Sequence, residues 1–256
     1  RAIVACGTDE QKKRYLPKMA TGESSAAFTL TEANAGTGMD LASTAVRKAG
    51  HYILNGEKHF ITNADFADWF MTCCWTDKKL GRKGLSALMV NRGAPGFTIK
   101  PMHDLMAGYG LGHGILTFKD VKVPVENIVG KEGDGLEVFL GELEPSRVFV
   151  AASSLGTAER VMEFALDYAK KRVTFGKPIA VRESIRGLLA DMAMDIYALK
   201  IMLTDVAEKM DRGEMCPLEA SITKLFGLET VIRVTDKAMQ VLRDPASPAP
   251  PVQPFC

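Results

Sequence analysis

Residues 123–135 read VPVENIVGKEGDG, and the character of the chain changes across them. Upstream, from about Ser24, lie short β-prone runs: SAAFTL (25–30), HYILNGEKHFIT (51–62), DWFMTCCWT (68–76), LSALMV (85–90), FTIK (97–100) and GILTF (114–118). Regularly spaced runs with turn formers between them and no helical period predict a β-barrel-like or sandwich domain. Asn55-Gly56 sits inside the second run, and Asn-Gly is the strongest short hairpin signal because both residues tolerate positive φ. A turn is therefore expected there. Downstream the pattern is helical. Pro145 is expected to separate a short helix from a long one that ends near Arg172, since proline suits a helix's first turn and not its interior. Ile185, Leu188, Leu189, Met192, Ile196, Leu199 and Leu203 then form one stripe at helical spacing, ending near Gly213. A third helix is expected from about Pro217, with Ile222, Leu225, Phe226, Ile232 and Val241 as its apolar positions. Three long helices with short connections predict an antiparallel bundle short of one member.

The flanks complete the outline. GTDEQKKRYLPKMATGE (7–23) reads as the end of something helical, closing at Gly22. RDPASPAPPVQPFC (243–256) is proline-rich without apolar periodicity and is expected to stay extended and unpacked. The expected fold class is α+β: a helical N-terminal remnant (1–23), a middle β domain (24–131), an incomplete helical bundle (132–242) and the tail (243–256). Both ends read as cut or altered.

Composition excludes several classes. Hydrophobic residues at 46% and charged residues at 25% are globular values, not those of a disordered chain. Lys+Arg 32 against Asp+Glu 31 gives +1, so no bulk charge points to nucleic acid. Five cysteines, odd in number and with Cys73 and Cys74 adjacent, form no CxxC and argue for a reducing compartment. The cytoplasm and the mitochondrial matrix both fit. His51, His59, His103 and His113 form no HExxH, so no metal site is expected. No apolar run reaches transmembrane length, and membrane insertion is not expected.

Two stretches invite a chemical reading. FTLTEANAGTG (28–38) is a strand ending in a glycine-containing loop, which can bring backbone N–H groups close to a ligand. In NGEKHFITNA (55–64), Phe60 and Thr62 are two apart and share a strand face, so one could cover a planar ring while the other bonds its edge. An ordinary strand and surface loop explain the same letters. Asp191 and Asp195, four apart on a helix, are read as a solvated face, and GKEGDG (130–135) as a turn before a helix.

TLTEANAGTGMD (29–40), NGEKHFITN (55–63), FKDVKVP (118–124), RVTFGKP (172–178) and LLADM (188–192) occur in this order, and together they resemble the acyl-CoA dehydrogenases over residues 7 to 242. The resemblance implies a helical, β, helical fold with FAD between the middle domain and the bundle. It implies that Phe28, Leu30 and Thr31 lie along the flavin, with Phe60 and Thr62 on a second flavin-contacting strand. Phe60 stands where most relatives have Trp, which keeps a flat apolar face without the indole N–H. Arg172, Thr174 and Phe175 match the element that reaches the FAD of a neighbouring subunit, and an arginine suits a pyrophosphate. Thr37 matches a residue near the substrate thioester; Ser146 and Arg147 match the helix start beside pantetheine and nucleotide.

The implied reaction is α,β-dehydrogenation of an acyl-CoA to the 2,3-enoyl-CoA, with an electron-transferring flavoprotein as acceptor, in a homotetramer or homodimer. The usual base is a Glu beyond the third bundle helix, where this chain carries its proline-rich tail. A minority branch has it at the position of Ser146, and Glu144 is the nearest carboxylate. Turnover by these 256 residues is therefore not expected, and a non-catalytic FAD- and CoA-binding or assembly homologue is the alternative. An acyl-CoA oxidase is a third possibility. Ala33, Asn34 and Gly38 break the usual TEPGAGSD string, Tyr109 replaces an arginine, and Glu183 stands where Gln is common; His113 is read as a structural, hydrogen-bonded histidine.

Overall fold

The computed structural model describes residues 1–36, 40–103, 105 and 112–242. These form two compact units, Arg1–Glu142 and Leu143–Cys256. The first opens with α1 (Ala2–Cys6) and α2 (Asp9–Ala20). A capping box starts α2: the Thr8 hydroxyl accepts from the Gln11 amide and the Gln11 side chain accepts from the Thr8 amide, satisfying two of the donors a helix start leaves unpaired. Gln11 Nε2 also donates to the carbonyls of Glu126 (2.8 Å) and Ile128 (2.6 Å).

Eight strands follow in one sheet: β1 (Ala26–Thr29), β2 (Thr44–Lys48), β3 (His51–Thr62), β4 (Trp69–Trp75), β5 (Leu85–Asn91), β6 (Phe97–Met102), β7 (His113–Pro124) and β8 (Ile128–Val129). Their order is β6-β7-β3-β2-β4-β5-β8, with β1 parallel to β4. The path is open among the described residues, running from β6 to β8 without pairing its ends. The run WFMTCCW is apolar but for Thr72, as suits a strand buried on both faces, and the Thr72 hydroxyl is hydrogen-bonded to Thr29 Oγ1 (2.8 Å). Phe70 and Cys74 enter one core with Ala27, Leu54, Ile61, Leu88, Phe97 and Phe118. Met71, Cys73 and Trp75 enter a second with Tyr15, Leu30, Leu41, Met89 and Phe139. Adjacent Cys73 and Cys74 thus point to opposite sides of the sheet.

The expected turn at Asn55-Gly56 does not form. β3 runs straight through it, and the β2–β3 hairpin turns six residues earlier at Ala49-Gly50, with φ of 40° and 81° between the pair Lys48↔His51. That is the two-residue turn with both φ positive that matches strand twist. Asn55-Gly56 instead faces a bulge on β7: the register steps from Leu54↔Val121 to Gly56↔Phe118. Asn55 holds the bulge by donating to Asp120 Oδ1 (3.0 Å) and accepting from the Asp120 amide (2.8 Å). Gly56, at φ 145°, passes close to β2's approach; a Cβ there would come within 2.7 Å of Ser43 Cα. Glycine is present for that close approach, not for a turn.

The second unit carries most of α3 (Gly135–Lys171), the two-stranded β9 (Val173–Thr174) and β10 (Lys177–Pro178), α4 (Glu183–Asp211) and α5 (Pro217–Leu242). Pro145 does not divide the first helix; α3 is continuous across it. The carbonyl that loses its partner belongs to Gly141, four residues back, which is exposed and can bond water. The α4 stripe packs as the periodicity predicts, with Leu189, Met192, Ile196 and Leu199 in a core shared with Leu155, Ala158, Ala165 and Val234. On α5 the expectation holds only in part, at Val241 and at Phe226, which packs against the same core. Its buried line is Ala220, Thr223, Gly227, Thr230, Val234, Ala238 and Val241, whereas Ile222, Leu225 and Ile232 are exposed. Small residues win the inner face because the helices approach closely: a Cβ at Gly227 would lie 3.3 Å from both Ala151 Cα and Leu199 Cδ1. Among the described residues, no helix is long and apolar enough to cross a membrane.

Candidate functional site

In the first unit, Ala27 and Ile61 share the inner core. Strand alternation therefore turns Phe28, beside Ala27, and Phe60 and Thr62, beside Ile61, to the outer face. Thr62 is exposed, Phe28 is 38% exposed and rests against Phe139 with ring centroids 4.3 Å apart, and Phe60 is 54% exposed. Phe60 has φ of 56°, a conformation that costs a non-glycine residue of order 1–3 kcal/mol. It arises from a second bulge, where the register steps from Lys58↔Leu116 to Ile61↔Gly114 and places His59 and Phe60 opposite one residue of β7. Strain that displays an aromatic ring to solvent has no return in folding, so it marks a surface shaped for contact.

Beside this face the segment after β1 is bound tightly to β3. The His59 amide donates to the Thr31 carbonyl (2.8 Å). Lys58, fully buried on the other face of β3, donates from Nζ to the Leu30 carbonyl (2.9 Å) and to Glu32 Oε1 (2.9 Å). Glu32 in turn accepts from the amides of Ala42 (2.5 Å) and Ser43 (3.1 Å). Burial pushes the Glu32 carboxyl up, but the hydrogen bonds from Ser43, Ala42 and Lys58 and the Lys58 charge together hold it below the usual carboxylate range. Leu30 is buried, and Thr31 is half-buried with its hydroxyl donating to the Gly36 carbonyl (3.3 Å). Across the ladder from Thr62, His113 Nε2 lies 3.2 Å from its hydroxyl. Thr31 is thus held beside the His59-Phe60 bulge, while Phe28 rests on Phe139. Thr37 and Tyr109 lie outside the described residues, as do 243–256.

GKEGDG is a turn with its groups committed. Gly133 N donates to Ser86 Oγ (2.9 Å), Lys131 N to Asp134 Oδ2 (3.0 Å), and Glu132 Oε2 accepts from the Tyr52 hydroxyl (2.7 Å).

In the second unit, Arg172 follows α3 directly, its amide bonded to the Tyr168 carbonyl (2.8 Å). Phe175-Gly176, at φ 51° and 73°, form the turn between Thr174↔Lys177. Phe175 is 95% exposed. Arg182 secures the hairpin, one nitrogen donating to the Thr174 carbonyl (3.0 Å) and hydroxyl (2.6 Å), with its guanidinium 5.3 Å from the Phe175 ring centre. Ser146 is exposed and Arg147 half-buried on α3. Glu144 is otherwise engaged: its Oε1 accepts from the Cys216 amide (3.0 Å), at the start of α5, where a carboxylate satisfies an unpaired donor and favours the dipole. Asp195 pairs with Arg233 through two 3.1 Å bonds, and Asp191 with Lys237 at 3.2 Å, so both carboxylates join α4 to α5. Among the described residues no group of His, Cys, Asp and Glu could hold a metal ion.

Sequence reasoning missed Glu32 and Lys58. A signal existed: Tyr52, Leu54 and Lys58 keep one parity in β3, so Lys58 falls on the buried side, where a lysine needs a carboxylate.

Comparison with known proteins follows the same order. Family models for the acyl-CoA dehydrogenase N-terminal, middle and C-terminal domains match residues 1–23, 27–121 and 133–243. An acyl-CoA dehydrogenase of Bacillus subtilis is 40% identical over 240 residues, covering 93% of this chain and 63% of the relative. A chain in a structure described as the electron transferring flavoprotein of Acidaminococcus fermentans superposes with a TM-score of 0.91 at 38% identity, covering 94% of this chain and 64% of that one. A structure of PigA with FAD and proline gives 0.92 at 29% identity, covering 97% and 65%. The chain spans a little under two thirds of the length of these relatives.

Proposed function

This chain belongs to the acyl-CoA dehydrogenase family, and on that premise we propose that it is the central part of an FAD-dependent enzyme that oxidises an acyl-CoA thioester to the 2,3-enoyl-CoA. The observation that carries the reading is the outer face of β3, where a strained, exposed Phe60 sits two residues from an exposed Thr62. A flat apolar ring with a hydroxyl at its edge fits an isoalloxazine, which is apolar on its faces and polar along one edge. Phe28 of β1 and Leu30 and Thr31, just after it, are assigned to the rest of the seat. FAD, when bound, supplies acceptance of the β-hydrogen as a hydride; the protein's residues orient the ring and the thioester and exclude water. Thr37 and the start of α3 at Ser146 and Arg147 are assigned to the acyl-CoA.

The hairpin tip suits contact with a second subunit. Phe175 carries a left-handed backbone on an almost fully exposed ring that touches the Arg182 guanidinium, and Arg172, three residues before it, suits a pyrophosphate. The exposed Ile222, Leu225, Ile232 and Met239 of α5 supply apolar surface for association. We assign the protein to a homotetramer or homodimer, with an electron-transferring flavoprotein as electron acceptor.

A second reading, a non-catalytic homologue that keeps the binding sites, is favoured by one observation. Glu144, the nearest carboxylate to the minority position of the base, holds the start of α5. One experiment separates the two. The purified chain is examined for a visible flavin band and then titrated anaerobically with acyl-CoA thioesters. Bleaching supports the enzyme, bound flavin without bleaching supports the second reading, and peroxide produced in air identifies an oxidase. A chain that takes up no flavin defeats both.

A further inference from the structure

We propose that Glu32 and Lys58 are positioning residues that set the flavin-facing segment and the loop after it; the inference rests on the flavin reading above. Glu32 is bound at both ends of one loop. Its backbone pairs with Ala35, the amide of each bonding the carbonyl of the other (2.8 and 3.2 Å). Its carboxylate takes the amides of Ala42 and Ser43, where the chain re-enters the sheet as β2. One side chain thus joins the chain at 32 and 35 to the chain at 42 and 43, on either side of the residue assigned to the thioester. Carboxylates hold amide pairs well because every bond is charge-assisted.

Lys58 gives the clamp its fixed point. Its Nζ reaches Glu32 Oε1 and the Leu30 carbonyl at 2.9 Å each, and the His59 amide bonds the Thr31 carbonyl at 2.8 Å. Leu30, Thr31 and Glu32 are therefore each tied to β3 at consecutive positions. Lys58 lies immediately before the bulge that turns Phe60 outward. The same two residues of β3 that anchor the β1 exit also precede the displayed ring, so the spacing between Thr31 and Phe60 is fixed from beneath. A buried pair of this kind is weak as a source of stability, and its better-attested use is to specify one arrangement.

The test uses the full chain with both charges removed, E32Q/K58M, which leaves no unpaired charge in the core. Amide hydrogen exchange is read at Ala42, Ser43 and His59, and FAD binding by absorbance titration. The expected result is exchange at least tenfold faster at these three amides, with the β4–β5 ladder unchanged. FAD affinity falls at least tenfold, and the spectrum of the flavin that does bind is displaced from that of the wild type. Unchanged exchange overturns the clamp whether or not flavin binds. Faster exchange with unaltered flavin affinity and spectrum overturns the positioning role and leaves a structural one. If wild-type chain binds no flavin, the functional reading itself fails and the positioning role fails with it. Should the double variant not fold, E32D answers by the same readouts, because it keeps the charge but shortens its reach by one methylene.

Discussion

One nitrogen of Arg182 donates to both the carbonyl (3.0 Å) and the hydroxyl (2.6 Å) of Thr174, so a residue beyond the β9–β10 hairpin fixes its first strand. The hairpin is thereby presented as a rigid arm with Phe175 at its tip. Phe175→Ala should change unfolding free energy by no more than about 0.5 kcal/mol, since the ring is exposed and buries almost nothing within its own chain. The same change should lower self-association and flavin retention, read by light scattering and by absorbance after gel filtration. Normal assembly and flavin content in the variant would remove the arm from the subunit contact.

Glycine substitutions distinguish two reasons for positive φ. Gly22, at φ 75°, has no atom within 4 Å of a Cβ, and Gly22→Ala should cost about 1 kcal/mol of backbone strain. Gly56 adds a steric conflict with Ser43. Gly56→Ala should therefore cost more than Gly22→Ala, by about 1–3 kcal/mol of overpacking. Urea melts of the two variants give the order directly.

Tyr52 predicts an alkaline limit. Burial, then the hydrogen bond to Glu132 and the charge of that carboxylate, push its hydroxyl up to about 12. The folded protein keeps this proton after the unfolded chain has lost it near pH 10. The contribution to stability is thus full below pH 10 and lost as the pH rises through 12. Tyr52→Phe should flatten the slope of stability against pH in that interval, measured by denaturant melts at fixed temperature. An unchanged slope would mean the phenol does not respond to its burial.

Lys58→Met alone leaves the Glu32 carboxylate buried without its cation. Breaking a buried pair from one side costs about 3–5 kcal/mol, and removing both charges costs much less. Lys58→Met should accordingly be less stable than E32Q/K58M, although it carries fewer changes. The sign at acid pH follows from Glu32, whose folded value is lowered. Its contribution is present above the ordinary carboxylate range and lost as pH falls through the folded value, a loss the double variant should not display.

Most elements were legible where period and burial agree. The α4 stripe and the β4 run each meet a core on the side their pattern points to. Misreadings came where local chemistry had two uses. Asn55-Gly56 has the letters of a turn, yet its asparagine brackets a bulge and its glycine clears Ser43. On α5, large apolar residues suggested the core, but close helix approach selects Gly227 and its small neighbours for the inner face. The seat at Phe60 and Thr62 was visible as a strand motif. The lysine and glutamate beneath it were not, because a contact 26 residues apart leaves no local period in the sequence.

The two irregularities of β3 and β7 are equal and opposite. β7 carries the spare residue at Lys119-Asp120 and β3 carries it at His59-Phe60, so the pairing advances by one and then returns. Between them, residues 56–58 pair with 116–118 one place off the register found on either side. Removing the spare residue of β3 would leave the flanking pairs Lys58↔Leu116 and Ile61↔Gly114 facing as they do, but would take away the bend that displays Phe60. The two bulges thus offset each other like opposed gear teeth, and the pairing at Thr62↔His113 resumes the register of Leu54↔Val121.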